Sequence, residues 1–147
     1  MLWRIYFYRS GQVLAEALAT AGDRARAGRA VGAAHVLMVI GIMAVAIADG
    51  IVQVHPTDQV QPAWLAMILG GPAIFLYGRI RLERLVFNRF SMRRLLSIAA
   101  LMVLAVPLAF TTPLIAATAA AGVLLGMAVA DARHAAGRPP EAPSPPF

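Results

Sequence analysis

The sequence predicts an all-α, polytopic membrane helix bundle of about four transmembrane helices, preceded by a short helix lying on the membrane surface. Three observations carry this expectation. The chain is 60% hydrophobic and only 14% charged over 147 residues, far from the mixture of ordinary soluble domains. Its apolar residues collect in four runs, 31–52, 64–77, 95–110 and 114–130. Its cations fall in three groups that avoid two of the connections between those runs.

Lys is absent, so the 13 basic residues are all Arg. They stand at Arg4, Arg9, Arg24, Arg26 and Arg29, then as six from Arg79 to Arg94, then at Arg133 and Arg138. The connections 53–61 and 111–113 contain none. Cationic loops are retained on the cytoplasmic side during insertion, so the distribution predicts four spans with both termini cytoplasmic. The organisation that follows is an aromatic helix end and interfacial segment over 1–30, a four-span region over 31–132, and a disordered Pro-rich cytoplasmic tail over 133–147.

Each element has its own local reason. Trp3, Tyr6 and Tyr8 are amphipathic aromatics of the kind found where a helix leaves the hydrocarbon. Val13, Leu14, Ala17, Leu18 and Ala21 recur at helical spacing and predict a surface helix, with Asp23 as N-cap of the next. A hydrocarbon core about 30 Å thick needs around 20 helical residues. The first and fourth runs meet that length. The second meets it if its helix takes in Pro62 to Arg79, and the third, about 16 residues or 24 Å, is short.

Pro62 suits a first turn, where its missing N–H has no intrahelical partner to lose, and Trp64 belongs to an aromatic belt. Gly70, Gly71 and Pro72 predict a kink in the second span, because Pro72 leaves the Ile68 carbonyl without its donor. Packing and a broken helix lining a substrate path are the two readings of that kink. The segment from Arg79 to Arg94 is expected to be a connection that hugs the interface through Leu82, Leu85, Val86, Phe87 and Phe90. Thr112 and Pro113 offer an N-cap and a first-turn proline in a tight reversal. In the fourth span Thr118, Gly122, Gly126 and Ala130 repeat every four residues, which predicts a groove for close helix packing, expected within the same bundle.

The candidate chemistry rests on His35, Asp49 and His55. His35 and Asp49 share one face of the first span to within about 40° but stand roughly 21 Å apart along it. They cannot pair directly or ligate one ion, since metal ligands approach within about 2 Å. Charged groups in hydrocarbon are costly and mark proton or ion pathways, so an intramembrane polar path through His35, Asp49 and His55 is one reading. The other puts His35 and Asp49 at the two headgroup boundaries and makes His55, before Pro56, a loop-shaping residue. With Cys 0, disulfides and thiolate chemistry are excluded. No nucleophile constellation, phosphate-binding loop or metal-spaced cluster stands in the sequence, so no enzyme, cofactor or metal site is expected. The net charge of +6 borders apolar helices instead of interleaving with stacking aromatics, which points to the lipid bilayer as partner and not nucleic acid.

The stretch AHVLMVIGIMAVAIADGIVQVHP, followed by QPAWLAMILGGPAIFLYG, resembles the C-terminal part of the bacterial low temperature requirement A family, as does the opening LWRIYFYRSGQVLAEALA. His35, Asp49 and His55 match that family's polar punctuation, with Asp49 where Glu is more usual. The resemblance implies a multi-pass protein of the bacterial plasma membrane, corresponding to about the last third of longer members and lacking their preceding spans. It implies no established biochemical activity.

Two functions are therefore expected as alternatives. One is part of a transporter-like bundle for protons or a small solute. The other is a non-catalytic structural or assembly subunit. Either is expected to have a helix partner, itself or an upstream family-like half.

Overall fold

The computed structural model describes residues 24–88 and 92–135. The described residues form four helices and no strand: α1 (Arg24–Val54), α2 (Pro62–Phe87), α3 (Met92–Leu108) and α4 (Pro113–Ala135). The aromatic opening, the surface helix, the Asp23 cap and the Pro-rich tail beyond Ala135 lie outside the described residues, whereas the first three residues of the expected tail, 133–135, continue α4.

By length and composition three stretches can cross a membrane, Ala25–Val54, Pro62–Val86 and Pro113–Arg133. The third helix has 17 residues, about 26 Å at the helical rise, and is shorter than the hydrocarbon core, as its apolar run indicated. It nonetheless joins the two ends of the bundle, from the ion pairs of Arg94 to the connection that holds Thr111. At one end the connections before α2 and before α4 are tied together, Val60 N–H donating to Thr111 O at 3.0 Å and Leu114 N–H to Pro56 O at 3.3 Å. At the other end stand the arginines of α2, α3 and α4.

Helix α1 begins at Arg24, where a cap at position 23 would start it, because Arg and Ala are strong helix formers and Ala27 already turns inward. One boundary differs from expectation. The segment after Arg79 is not a loop. Helix α2 continues to Phe87, since Ile80 and Val86 remain buried on its inward side and nothing breaks the helix before Asn88. There the chain turns left-handed, with Asn88 at φ 49° and its N–H on Arg84 O at 3.1 Å. Asn tolerates that conformation better than most residues.

Other local readings hold. Gln61 is the N-cap of α2, with Pro62 in the first turn. Thr112 caps α4, its Oγ1 accepting from Ile115 N–H at 3.4 Å, and Pro113 is fully buried behind it.

Helix α2 is the hub, packing against all three others. Its principal partner is α1, and the contact is made by small residues. Ala27, Ala34 and Ala48 are buried, as is Gly41 between them, a seven-residue repeat that keeps one seam turned to a neighbouring helix. Across it, a Cβ placed on Gly41 would lie 2.6 Å from the Phe75 nitrogen and 2.8 Å from the Gly71 oxygen. One on Gly71 would meet the Val45 nitrogen at 2.9 Å, and one on Gly78 the Ala34 oxygen at 3.0 Å. The two helices run antiparallel, and their backbones come close enough that three glycines have no room for a methyl. Helix α2 is continuous through Gly70, Gly71 and Pro72. Gly71 supplies close approach to α1, whereas a Cβ on Gly70 would meet open space.

The remaining core joins Leu65, Ile68, Leu69 and Leu76 of α2 to Leu101 and Leu108 of α3 and Ala116 and Ala120 of α4. Ser97 is the buried polar residue among the described residues, and its hydroxyl donates to Arg93 O within α3 at 3.1 Å.

The seam makes a quantitative prediction. Gly41→Ala should lower thermal stability in detergent by about 1–3 kcal/mol, because the methyl meets backbone that cannot swing aside. Gly50→Ala, where nothing lies within 4 Å, should be neutral or stabilise by up to about 1 kcal/mol through helix propensity. Equal melting shifts for the two variants would contradict the close approach.

Candidate functional site

The polar residues marked in the sequence are distributed along the bundle, not gathered into one site. His35 is exposed, and its Nδ1 lies 3.0 Å from Val31 O of its own helix. The neighbouring Ala34 faces Gly78, so His35 stands level with the start of the basic part of α2. Asp49 is also exposed. The α1–α2 register set by Gly41 and Gly71 puts it level with the second turn of α2, toward the tied loops. Both side chains leave α1 on faces that the described residues do not cover.

His55 is placed differently. Its Nδ1 is 2.8 Å from Asp58 Oδ2, and its ring stacks on Trp64 with centroids 4.9 Å apart and planes at 22°. The pair is well exposed, with side-chain accessibilities of 42% and 58%, so its Coulombic contribution is small. What it does is geometric: it folds the α1–α2 connection over the first turn of α2. Among the described residues no three His, Cys, Asp or Glu side chains gather to hold a metal.

The small-residue stripe of α4 faces away from the bundle. Ala116 and Ala120 form its buried side, whereas Gly122 and Gly126 have nothing within 4 Å of a Cβ position. Thr118 donates its hydroxyl to Leu114 O at 2.7 Å, inside its own turn. The within-bundle partner expected for this groove is not among the described residues.

The densest chemistry is a set of charges that the sequence reading treated only as topology signals. Where α2, α3 and α4 meet at the basic end, five side chains alternate in sign: Arg79, Glu83, Arg94, Asp131 and Arg93. Glu83 receives Arg94 in a close ion pair, with Arg79 3.9 Å from its other oxygen. Asp131 receives Arg94 and Arg93, each at 3.3 Å, on separate oxygens. Arg94 is the bridge and the least exposed member, its side chain 13% accessible. It links a carboxylate on α2 to one on α4, and so holds three helices together.

The signal for this chain was present in the sequence. Glu83 stands four residues after Arg79, a helical ion-pair spacing, and Asp131 is an acid among the flanking arginines of the last span. Reading 79–94 as an interfacial connection, and not as a continuation of the second helix, removed the periodicity that would have joined them.

The bridge predicts a coupling. Asp131→Asn and Glu83→Gln should each cost about 1–2 kcal/mol, since each leaves a half-buried Arg94 with one carboxylate, at a partly exposed site where screening is substantial. Their double-mutant cycle should be non-additive through Arg94. Strict additivity in melting experiments would mean that the two pairs act independently.

Residues 1–130 match the family model described as Bacterial low temperature requirement A protein (LtrA). No curated protein and no solved structure matches the chain.

Proposed function

We propose that this chain, which belongs to the bacterial low temperature requirement A (LtrA) family, is a multi-pass protein of the bacterial plasma membrane that works as a non-catalytic structural or assembly unit. Its basic end faces the cytoplasm, and the tied loops face outward, in keeping with the retention of arginine-rich segments. The observation that carries the reading is the interior. The packed core is apolar, its buried polar residue Ser97 is satisfied within its own helix, and no buried side-chain N or O atom among the described residues lacks a partner. A solute path needs polar groups aimed into a cavity. The helix partner that an assembly unit requires, a second copy or an upstream family-like half, is expected along α1, where Val36, Ile40, Met43 and Ile47 are exposed.

A second reading, part of a transporter-like bundle for protons or a small solute, is favoured by one observation. His35 and Asp49 both project from α1 away from the core, so a path would lie between α1 and a partner, outside the four-helix unit.

Flux measurements separate the two. In proteoliposomes under a pH gradient the structural reading expects no proton or solute movement. Flux abolished by both His35→Gln and Asp49→Asn would overturn it in favour of the path. The orientation is tested independently, because the chain has no native Cys. Thr57→Cys should react with an impermeant thiol reagent on sealed cells, whereas Arg81→Cys should react only after permeabilisation.

A further inference from the structure

The chain of charges at the basic end alternates in sign and terminates in a cation at both ends. Its order is Arg79, Glu83, Arg94, Asp131, Arg93, and each carboxylate oxygen already faces an arginine. Arg94 spends its donors on two acids. Arg79 and Arg93 do not. Arg79 approaches its acid only to 3.9 Å, and Arg93 makes one 3.3 Å contact through a single nitrogen. A guanidinium carries five N–H donors in a planar fork, and among the described residues these contacts occupy only part of either terminal arginine's fork. They are also more accessible than the bridging arginine of this cluster, at 29% and 39% against 13% for Arg94.

Three cations against two anions leave one positive charge in excess. The dipole of α3 adds to it, since Arg93 and Arg94 occupy its first turn and no acid stands there. Two helices long and apolar enough to cross a membrane, α2 and α4, carry Glu83 and Asp131 at this end, where the arginine-rich side of a spanning bundle meets headgroups. The ligand chemistry that suits these arginines is an oxyanion with several acceptors, able to take a guanidinium fork edge-on.

We propose that Arg79 and Arg93, one at each end of this charge chain, are the arms of a binding surface for the phosphodiesters of acidic phospholipid headgroups, with Glu83, Arg94 and Asp131 as the frame that holds them. The site involves helices α2, α3 and α4, and does not depend on whether α1 serves assembly or transport. The two carboxylates keep the arginines apart and oriented, and they compete with the lipid for the same donors. Removing a competing acid should therefore tighten lipid binding even as it weakens the protein, an opposition of sign that a purely structural ion cluster does not produce.

The test uses the full chain in neutral detergent, titrated with phosphatidylglycerol or with phosphatidylcholine, reading the thermal midpoint and the lipid retained in native mass spectra. Phosphatidylglycerol should raise the midpoint and remain bound, and phosphatidylcholine should do neither. Arg79→Gln with Arg93→Gln should weaken the phosphatidylglycerol response about fivefold in half-saturating concentration, since each headgroup loses the one arginine it meets. Asp131→Asn should strengthen it. If the double variant does not fold, Arg93→Gln and Arg93→Lys replace it. Gln should then weaken binding about fivefold, while Lys, which keeps charge but loses the fork, should weaken it less. Equal responses to the two lipids, an unchanged response in the arginine variants, or a weaker response in Asp131→Asn would overturn the proposal. An equal effect of inorganic phosphate at matched concentration would overturn the lipid assignment by making the site a general anion site.

Discussion

The approach of the α1 and α2 backbones across Gly41, Gly71 and Gly78 is the constraint on which the bundle rests. Lipid tails are as apolar as leucine, so membrane helices gain little from burying apolar surface against each other and associate through close packing. Glycine permits that packing at minimum separation. Because α1 leans almost wholly on α2, its place in the bundle depends on this one seam. Helix α2 in turn supplies Leu76 and Ile68 to the core and Glu83 to the charge chain. A shift of α2 along α1 would move all of these together.

The two ends of the bundle are fastened by different physics. At the loop end the fastening is backbone hydrogen bonding between two connections, which is short-ranged and neutral. At the basic end it is Coulombic, carried by Arg94 between two carboxylates. Salt screens the second and leaves the first nearly untouched. The bundle therefore has one end whose cohesion depends on ionic strength and headgroup charge, and another whose cohesion does not.

The all-helical class, the four apolar segments and both first-turn prolines were legible in the sequence, because hydropathy and proline chemistry act locally. The length of α2 was less legible, since arginines at Arg79, Arg81 and Arg84 resemble a loop by composition while remaining good helix formers. The partner of Gly71 could not be read at all. In sequence Gly70-Gly71-Pro72 looks like a helix defect, and only the position of Gly41, thirty residues earlier, makes Gly71 a contact. The Gly122 and Gly126 stripe shows the converse: a spacing that permits packing does not say whether the neighbour belongs to the same chain. For His35 and Asp49 the shared helical face was legible, but their levels along the bundle became clear only through the register between α1 and α2.

The helices differ greatly in reach. At the helical rise α1, with 31 residues, measures about 46 Å, and α3, with 17, about 26 Å, against a hydrocarbon layer of about 30 Å. The protein thus presents unequal walls to the surrounding lipid. Beside α1 the helix overshoots and its charged end stands clear of the acyl chains. Were the bundle to span such a layer, the lipid beside α3 would have to thin, or Arg93 and Arg94 to snorkel toward the headgroups. Hydrophobic mismatch costs fractions of a kcal/mol per Å, and here it is concentrated on one flank. A thicker bilayer loads α3 before any other helix, and pulls on the residues that hold its end.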